Sequence, residues 1–255
     1  MTGSSSAPRP LVLGIESSGN TGSVALLGPR GMLGCLTFTS PSLYSQRLMP
    51  SVDWLASRAG VAAGDITGVA VARGPGSFTG LRIGMSVAKA IAYAAGASIV
   101  GVSTLEAMAL GASAGCPPGM PVCVLLDARQ GQVYAGLYSV ERRSAPRRVD
   151  GGSLQMPPPA PVALRPDFAG PLDEVCGWIT GPTLFAGEGA LRLEAALRDA
   201  LGDRFVLAPS AQLLPSAAEV AVLGALRLED GGADDPALLV PEYLRRSYTE
   251  RRKPA

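Results

Sequence analysis

Two distant segments of the chain share one pattern: an apolar run that ends in a carboxylate, then a polar turn and a second apolar run. The first copy spans residues 11–27 and has Glu16 at the end of its first run, and the second spans residues 122–138 and has Asp127 there. Each copy predicts two paired strands. A helical segment follows further along in both halves, so the repeat indicates a duplicated α/β unit.

The residues between the two copies predict a strand, a glycine-rich turn, a helix and a further strand, which is a βαβ unit. The helix covers residues 81–95 and ends at Gly96, and an earlier helix lies within 42–59 and ends at Gly60. Two serines, each with a glutamate three positions later, have the spacing of a capping box and predict helix starts at Ser103 and Ser216. Further on, the sequence predicts a strand at 183–186 and a helix at 190–201.

These elements divide the chain into two similar halves. We expect a disordered lead-in at residues 1–10, an N-terminal half at 11–103 and a C-terminal half at 104–244. Residues 141–182 hold eight of the 22 prolines and predict an irregular surface excursion of the second half. Residues 245–255 form a basic tail.

The chain contains no histidine and only two lysines among its 22 basic residues. The missing histidine excludes Ser-His and Cys-His nucleophiles and histidine-ligated metals. No Gly-Lys-Ser/Thr phosphate loop is present. We therefore expect no catalytic residue, no bound metal and no cofactor.

The net charge of +1 gives no global attraction to nucleic acid or to anionic membranes. The four cysteines form no C-x-x-C pair, which favours reduced thiols. Residues 1–10 lack the apolar core of a signal peptide, and glycines and prolines interrupt the one long weakly charged stretch, residues 89–127. We expect a cytoplasmic protein with no membrane contact.

The carboxylates Glu16 and Asp127 are the first candidates for chemistry. A carboxylate at the carboxyl end of an inner strand points into the crevice where open α/β sheets bind ligands, so the pair could position a metal and a phosphate or activate a water. The alternative is that each carboxylate only caps its own turn. Arg129 and Gln130 follow Asp127, where phosphate binding would favour glycine and small hydroxyl residues.

The loop Gly74-Pro75-Gly76-Ser77-Phe78-Thr79-Gly80 opens the central helix and has two interpretations. Its backbone N–H groups could hold an anion at the helix N-terminus. It could equally be a structural turn that needs glycine and a serine N-cap.

Five strings of this sequence, in the same order, resemble the bacterial TsaB (YeaZ) family across nearly the whole chain. They are Gly74 to Gly84, Gly101-Val102-Ser103-Thr104-Leu105, Asp127-Ala128-Arg129 with Val133-Tyr134, Gly187-Glu188-Gly189-Ala190, and Pro241-Glu242-Tyr243-Leu244-Arg245. The resemblance implies an α/β protein with the duplicated ribonuclease H-like fold of actin, Hsp70 and sugar kinases. Glu16 stands where relatives usually have aspartate, and in this it resembles the catalytic paralogue TsaD.

The resemblance also implies a function. The family supplies a non-catalytic scaffold that binds and activates TsaD, which builds threonylcarbamoyladenosine beside the tRNA anticodon. It implies TsaD as direct partner, TsaE through the complex, and a possible homodimer through the same surface. TsaD holds its metal with a His-x-x-x-His motif, which a chain without histidine cannot form. The alternative is a metal- or ATP-dependent carbamoyltransferase or a glycoprotease of the same superfamily.

We expect the partner to dock on the helix at residues 81–95. At about 100° per residue, one apolar stripe (Ile83, Val87, Ile91) suits the sheet, and the opposite face (Arg82, Ser86, Lys89, Tyr93) is polar. A row of small residues between them would admit another backbone. The predicted interface is Met49, Leu81, Met85, Ala88 and Ala92. The alternative is that the helix within 42–59 covers these residues internally, with Leu48, Val52 and Leu55 facing the core.

Two arginine-rich groups could contact tRNA phosphates. One is Arg142, Arg143, Arg147 and Arg148, and the other is Arg245, Arg246, Arg251, Arg252 and Lys253. No aromatic residue interleaves the first group, so base stacking is not expected there. A few arginines give only weak, salt-sensitive binding, so we expect tRNA to be bound weakly or through the complex.

Overall fold

The computed structural model describes residues 10–39, 44–117, 119–141, 147–148, 154–155 and 159–245. The strands are β1 (Val12–Glu16), β2 (Thr21–Gly28), β3 (Gly31–Thr39), β4 (Gly68–Gly74), β5 (Ser98–Ser103), β6 (Val122–Asp127), β7 (Gln132–Glu141), β8 (Arg147–Arg148), β9 (Leu154–Gln155), β10 (Ala160–Pro171), β11 (Thr183–Ala186) and β12 (Phe205–Leu207). The helices are α1 (Tyr44–Ala59), α2 (Phe78–Ala95), α3 (Thr104–Ala112), α4 (Leu172–Cys176), α5 (Glu188–Arg192), α6 (Glu194–Leu201) and α7 (Ala217–Glu229).

Two five-stranded sheets have the same topology. The first has the order β3-β2-β1-β4-β5 and the second the order β10-β7-β6-β11-β12. In both, the strand that ends in the carboxylate lies at the centre, antiparallel to the strand that follows it and parallel to a later one. The repeated order confirms the predicted α/β fold with two ribonuclease H-like halves.

The helix boundaries follow local signals in the sequence. Ser77 caps α2 by accepting a hydrogen bond from the Gly80 N–H, and Gly96 ends that helix with φ of 64°. Ser103 and Ser216 cap α3 and α7, as predicted. Glu106 and Glu219, the glutamates three positions after these serines, make other contacts.

Those two glutamates turn to neighbouring helices instead of closing a capping box. The Glu106 carboxylate pairs with the Arg227 guanidinium on α7. The Glu219 carboxylate lies against Gly111 on α3, where an added Cβ would be 3.3 Å from the carboxylate carbon. Tertiary contacts with α3 and α7 therefore replace the local glutamate-to-backbone hydrogen bond.

The helices cover the sheets so that the two halves share a core. Helices α1 and α2 pack on one face of the first sheet around Leu13, Leu48 and Val69. Helix α7 packs on the other face of that sheet, although the sequence placed it with the second half. Helix α3 contributes side chains both to that layer and to the core of the second sheet. Among the described residues, no helix is long and apolar enough to cross a bilayer.

Five of the described strands were not predicted: β3, β8, β9, β10 and β12. Strand β10 occupies twelve residues of the Pro-rich excursion that was expected to be irregular, and it pairs with β7 through two register shifts. The residues around β8 and β9 lie partly outside the described part of the chain. The proline content was a poor guide here because an edge strand at a bulge tolerates proline.

The segment after α7 returns to both halves. Asp234 forms a bridge to Ile99 at the outer edge of β5. The Glu242 N–H donates to the Arg73 carbonyl at 2.7 Å, and the Tyr243 ring lies 5.0 Å from the Phe78 ring. The Arg245 guanidinium then donates to the carbonyls of Ala128 and Arg129, in the turn that follows β6. Arg245, predicted to begin a free basic tail, is therefore anchored to the protein.

Candidate functional site

Glu16 and Asp127 end β1 and β6, and the turns that follow them face the crevice between the halves. The two halves are joined there by the side-chain amide of Asn20, which donates to the Glu188 carboxylate at 3.3 Å. Each carboxylate also accepts the backbone N–H two residues further on, from Ser18 at 2.5 Å and from Arg129 at 2.7 Å. These two hydrogen bonds agree with the alternative interpretation, in which each carboxylate caps its own turn.

Glu16 is fully buried, and its surroundings are poor in charge. Burial raises the pKa of Glu16 to about 7, because an ionised carboxylate loses its hydration there, and the Ser17 and Ser18 hydrogen bonds only partly offset that cost. The second oxygen, Oε2, has no hydrogen-bond partner among the described residues. The carboxyl is thus enclosed by its own chain and is not presented to the crevice.

Asp127 is neutralised by a residue that sequence reasoning missed. The Arg192 guanidinium donates to both carboxylate oxygens, at 2.6 and 2.9 Å. Arg192 ends α5, the short helix after β11, and lies 65 residues away from Asp127. The arginine and the Arg129 N–H together donate three hydrogen bonds to this carboxylate, which occupy most of its lone pairs and reduce its availability to a metal or a water. Helix α5 begins within the Gly187-Glu188-Gly189-Ala190 string, and its last residue, Arg192, supplies the partner of the Asp127 carboxylate.

The glycine loop before α2 is filled by the β1–β2 turn. The Ser77 N–H donates to the Ser18 carbonyl at 2.6 Å. A Cβ added at Gly76, Gly80 or Gly84 would collide with Ser18 or Ser17. The small-residue row thus lets the turn of the same chain approach α2 closely, and the turn backbone occupies the place that an anion would need. The structural interpretation of this loop fits the geometry.

No metal centre is formed by the described residues, since none of their Asp, Glu and Cys side chains gather in a group of three or more. The four cysteines are free thiols. Burial raises the pKa of Cys123, which keeps that thiol protonated.

The predicted interface residues on α2 are enclosed within the chain. Leu81, Met85, Ala88 and Ala92 are all buried, and the last three belong to the same core as Leu48, Val52 and Leu55 of α1. The predicted orientation of α2 was wrong. Contact between Gly80, Gly84 and the β1–β2 turn sets the rotation of the helix, and this turns Leu81 and Met85 inward. These four residues therefore fit the alternative interpretation, in which they are covered within the chain and do not face a partner.

The stripe that was expected to face the sheet is instead half-exposed. Ile83, Val87 and Ile91 are only partly buried against the core. At about 100° per residue they adjoin Gly80 and Gly84, and the position of a Gly80 Cβ lies 3.2 Å from the Tyr44 ring of α1. The stripe therefore borders α1.

Met49, the fifth predicted residue, is 40% exposed on α1. Pro50 and Trp54 of α1 line a groove with Leu36 and Phe38 of β3, so Met49 and Ala56, on the opposite side of α1, face α2. Met49, Ala56, Ile83, Val87 and Ile91 together form an apolar strip along the two helices, called here the two-helix surface. It is the described surface nearest to the predicted interface.

The arginine groups provide little further information. Arg142, Arg143, Arg246, Arg251, Arg252 and Lys253 lie outside the described residues, and Arg147 and Arg148 form β8. Arg245 is used internally, as described above.

The duplicated sheets and the helices packed on them define an α/β protein with two ribonuclease H-like halves. The model of the family described as "TsaD: tRNA N6-adenosine threonylcarbamoyltransferase" matches residues 40–252. The chain is 32% identical to the tRNA threonylcarbamoyladenosine biosynthesis protein TsaB of Bacillus subtilis, over 94% of this chain and 96% of that protein. It is 28% identical to TsaB of Escherichia coli, over 95% and 98%. The structure of YeaZ from Pseudomonas aeruginosa superimposes with a TM-score of 0.74 at 27% identity, covering 92% of this chain and all of that one. The chain belongs to the TsaB (YeaZ) family.

Proposed function

We propose that this chain is a non-catalytic subunit in the biosynthesis of threonylcarbamoyladenosine in tRNA, and that it binds and activates the transferase TsaD. The observation that carries the proposal is the pairing of Asp127 with Arg192, together with the burial of Glu16. Both carboxylates that could serve a reaction in the crevice are used by the chain itself. The assignment to threonylcarbamoyladenosine biosynthesis is supported by the names of the relatives from Bacillus subtilis and Escherichia coli.

The two-helix surface is the proposed docking site for TsaD. It presents half-exposed apolar side chains from two adjacent helices, and a second helical surface could bury them by packing across α1 and α2. The exposed Met49 fits this role because a flexible thioether adapts to an irregular partner. TsaE would then join through the complex, tRNA would bind mainly through TsaD, and a homodimer through the same surface would compete with TsaD.

The binding experiment compares two substitutions on the same helix. Val87→Arg places a charge within the two-helix surface and should weaken TsaD binding at least tenfold, because a buried charge in an interface lacks a partner. Ser86→Arg is the matched control, since Ser86 is exposed on the polar face of α2 and should change the affinity little. Equal affinities for the two folded variants would contradict this docking site.

The activity experiment separates the scaffold from the alternative enzyme. Transfer of the threonylcarbamoyl group to tRNA is measured with this chain alone, with TsaD alone and with both. We expect transfer only when TsaD is present and a higher rate when both are present. Turnover by this chain alone, after removal of contaminating TsaD, would favour the carbamoyltransferase alternative.

A further inference from the structure

The two sheets have four outer edges, and three of them are protected by the chain itself. The edge at β5 is covered by the bridge from Asp234 to Ile99. The edge at β12 is only three residues long. Strand β10 carries Pro161, Arg165 and Pro166 and is interrupted by two register shifts. Short length, proline, charge and irregular pairing are the features that keep an edge strand from pairing with another chain.

Strand β3 has little of this protection. It is nine residues long, contains neither a charged residue nor a proline, and is the outermost strand of its sheet in the described part of the chain. Its one irregularity is a register shift beside Leu33, near its start, which leaves Gly34–Thr39 regular. Met32 and Leu33 are 40% and 50% exposed. An edge with this composition presents unpaired backbone N–H and C=O groups to a second strand.

We propose that β3 pairs with the β3 strand of a second copy of this chain, antiparallel, so that two first sheets join into one. In a symmetric pair, side chains directly opposite each other lie on the same face, so the two-fold axis passes midway between one residue and the same residue of the second copy. An axis at Leu36 uses the regular part of the strand best. It places Leu36 opposite Leu36 of the second copy, and Cys35 opposite Thr37 of the second copy.

A second copy suits this edge for two reasons. The strand is uncharged, so its pairing with itself brings no like charges together, which is the usual obstacle to self-pairing of an edge. The pairing also brings apolar side chains together: Leu36 and Phe38 line a groove of about 400 Å³ with Pro50 and Trp54 of α1, and Trp54 is 54% exposed. The polar side chains of Gln46, Arg47 and Ser51 also line this groove. The second copy's Leu36 would lie at the rim of this groove.

This contact does not depend on the proposed function. The groove and β3 lie on one side of α1, and the two-helix surface lies on the other side. A copy paired through β3 would therefore leave the proposed TsaD site open. Loss of the β3 dimer and loss of TsaD binding can therefore be measured separately.

The test uses Cys35 and Thr37, which are both exposed on β3. In the double variant Cys35→Lys/Thr37→Lys, lysines meet across the two-fold axis in both copies. In Cys35→Lys/Thr37→Glu, each lysine meets a glutamate. Sedimentation velocity of the full chain over a concentration series measures the dimer, and thermal unfolding verifies that both variants are folded.

We expect the unmodified chain to dimerise with rising concentration. The double-lysine variant should raise the dissociation constant about tenfold, and the lysine–glutamate variant should restore it to within about threefold of the unmodified chain. A chain that stays monomeric at its solubility limit would overturn the proposal. So would the loss of all dimer in Val87→Arg, which removes only a homodimer through the two-helix surface, or a Val87→Arg dimer that the two added lysines leave intact.

A cross-link tests the register. With Cys35→Ser as background, Leu36→Cys places two thiols opposite each other, with Cα atoms about 5 Å apart, which suits a disulfide. Oxidised glutathione accepts the two electrons and two protons released when the bond forms. Thr39→Cys in the same background is the control, because it lies away from the axis. Faster covalent dimer formation by Leu36→Cys supports the register, and equal rates would overturn it.

Discussion

The guanidinium of Arg192 holds both carboxylate oxygens of Asp127, at 2.6 and 2.9 Å, across 65 residues of sequence. The turn after β6 thereby becomes a structural joint, since Arg245 also donates to the carbonyls of Ala128 and Arg129 in that turn. At the equivalent place in the first half, Glu16 is buried and the β1–β2 turn packs into the glycine loop. The crevice of this protein is thus closed in both halves by contacts within the chain.

Replacing Arg192 should affect stability only mildly. The Arg192 and Asp127 side chains are 53% and 27% exposed, so solvent screens the pair and we expect Arg192→Ala to lower the free energy of unfolding by no more than about 1 kcal/mol. Arg192→Lys should lower the free energy of unfolding less than Arg192→Ala does, because lysine keeps the positive charge. It should still lower it somewhat, because lysine cannot form the bidentate contact. Urea unfolding of the three proteins measures this. A loss of several kcal/mol would mean that the pair organises the whole crevice.

The stability of the protein should fall between about pH 4.5 and pH 7 through Glu16. The pKa of Glu16 in the folded protein, about 7, lies above its ordinary value of 4.5, so the native state holds a proton that the unfolded state releases in this range. Glu16 therefore contributes about 3 kcal/mol to the free energy of unfolding below pH 4.5, and this contribution is lost as the pH rises through 7. Glu16→Gln should flatten the dependence, and the difference between the two proteins at each pH isolates this group. An identical pH dependence for both would contradict the assignment.

Charges at the buried positions of α2 should unfold the protein and not merely release a partner. Ala88 is fully buried and Met85 is 4% exposed, so Ala88→Glu or Met85→Arg places an unpaired charge in the core and should cost several kcal/mol. Ser86→Glu, on the exposed face of the same helix, is the control and should change little. Circular dichroism and thermal unfolding measure the effect. A folded Ala88→Glu protein of unchanged melting temperature would show that this helix face is accessible after all.

A methyl group at Gly80 should be poorly tolerated. The Cβ of Gly80→Ala would collide with the Ser17 carbonyl oxygen, which is backbone and cannot turn away as a side chain can. We expect a loss of about 2 kcal/mol or more. Gly64→Ala is the matched control, because a Cβ there meets no atom within 4 Å. Denaturant midpoints of both variants measure this, and similar midpoints would argue against close packing of the turn on α2.

Much of the fold could be predicted from the sequence, because its signals are local. The apolar runs that end in Glu16 and Asp127 became the central strands of the two sheets, and Ser77, Ser103 and Ser216 cap the helices that follow them. Period, turn chemistry and capping depend on neighbouring residues, so they can be read without knowing the tertiary structure. The repeat of one pattern in two halves indicated a duplicated α/β unit, and the family resemblance specified the ribonuclease H-like fold.

The tertiary structure alone decided which faces of these elements are used. Ile83, Val87 and Ile91 are bulkier than Gly80, Gly84 and Ala88, yet contact with the turn at Ser17 and Ser18 rotates the small residues inward. Glu106 caps no backbone group because Arg227, 121 residues away, lies beside it. The uncharged edge of β3 became visible only once the strand order was known. Rotation of a helix, pairing of distant charges and exposure of an edge depend on contacts between residues far apart in sequence, which no local pattern records.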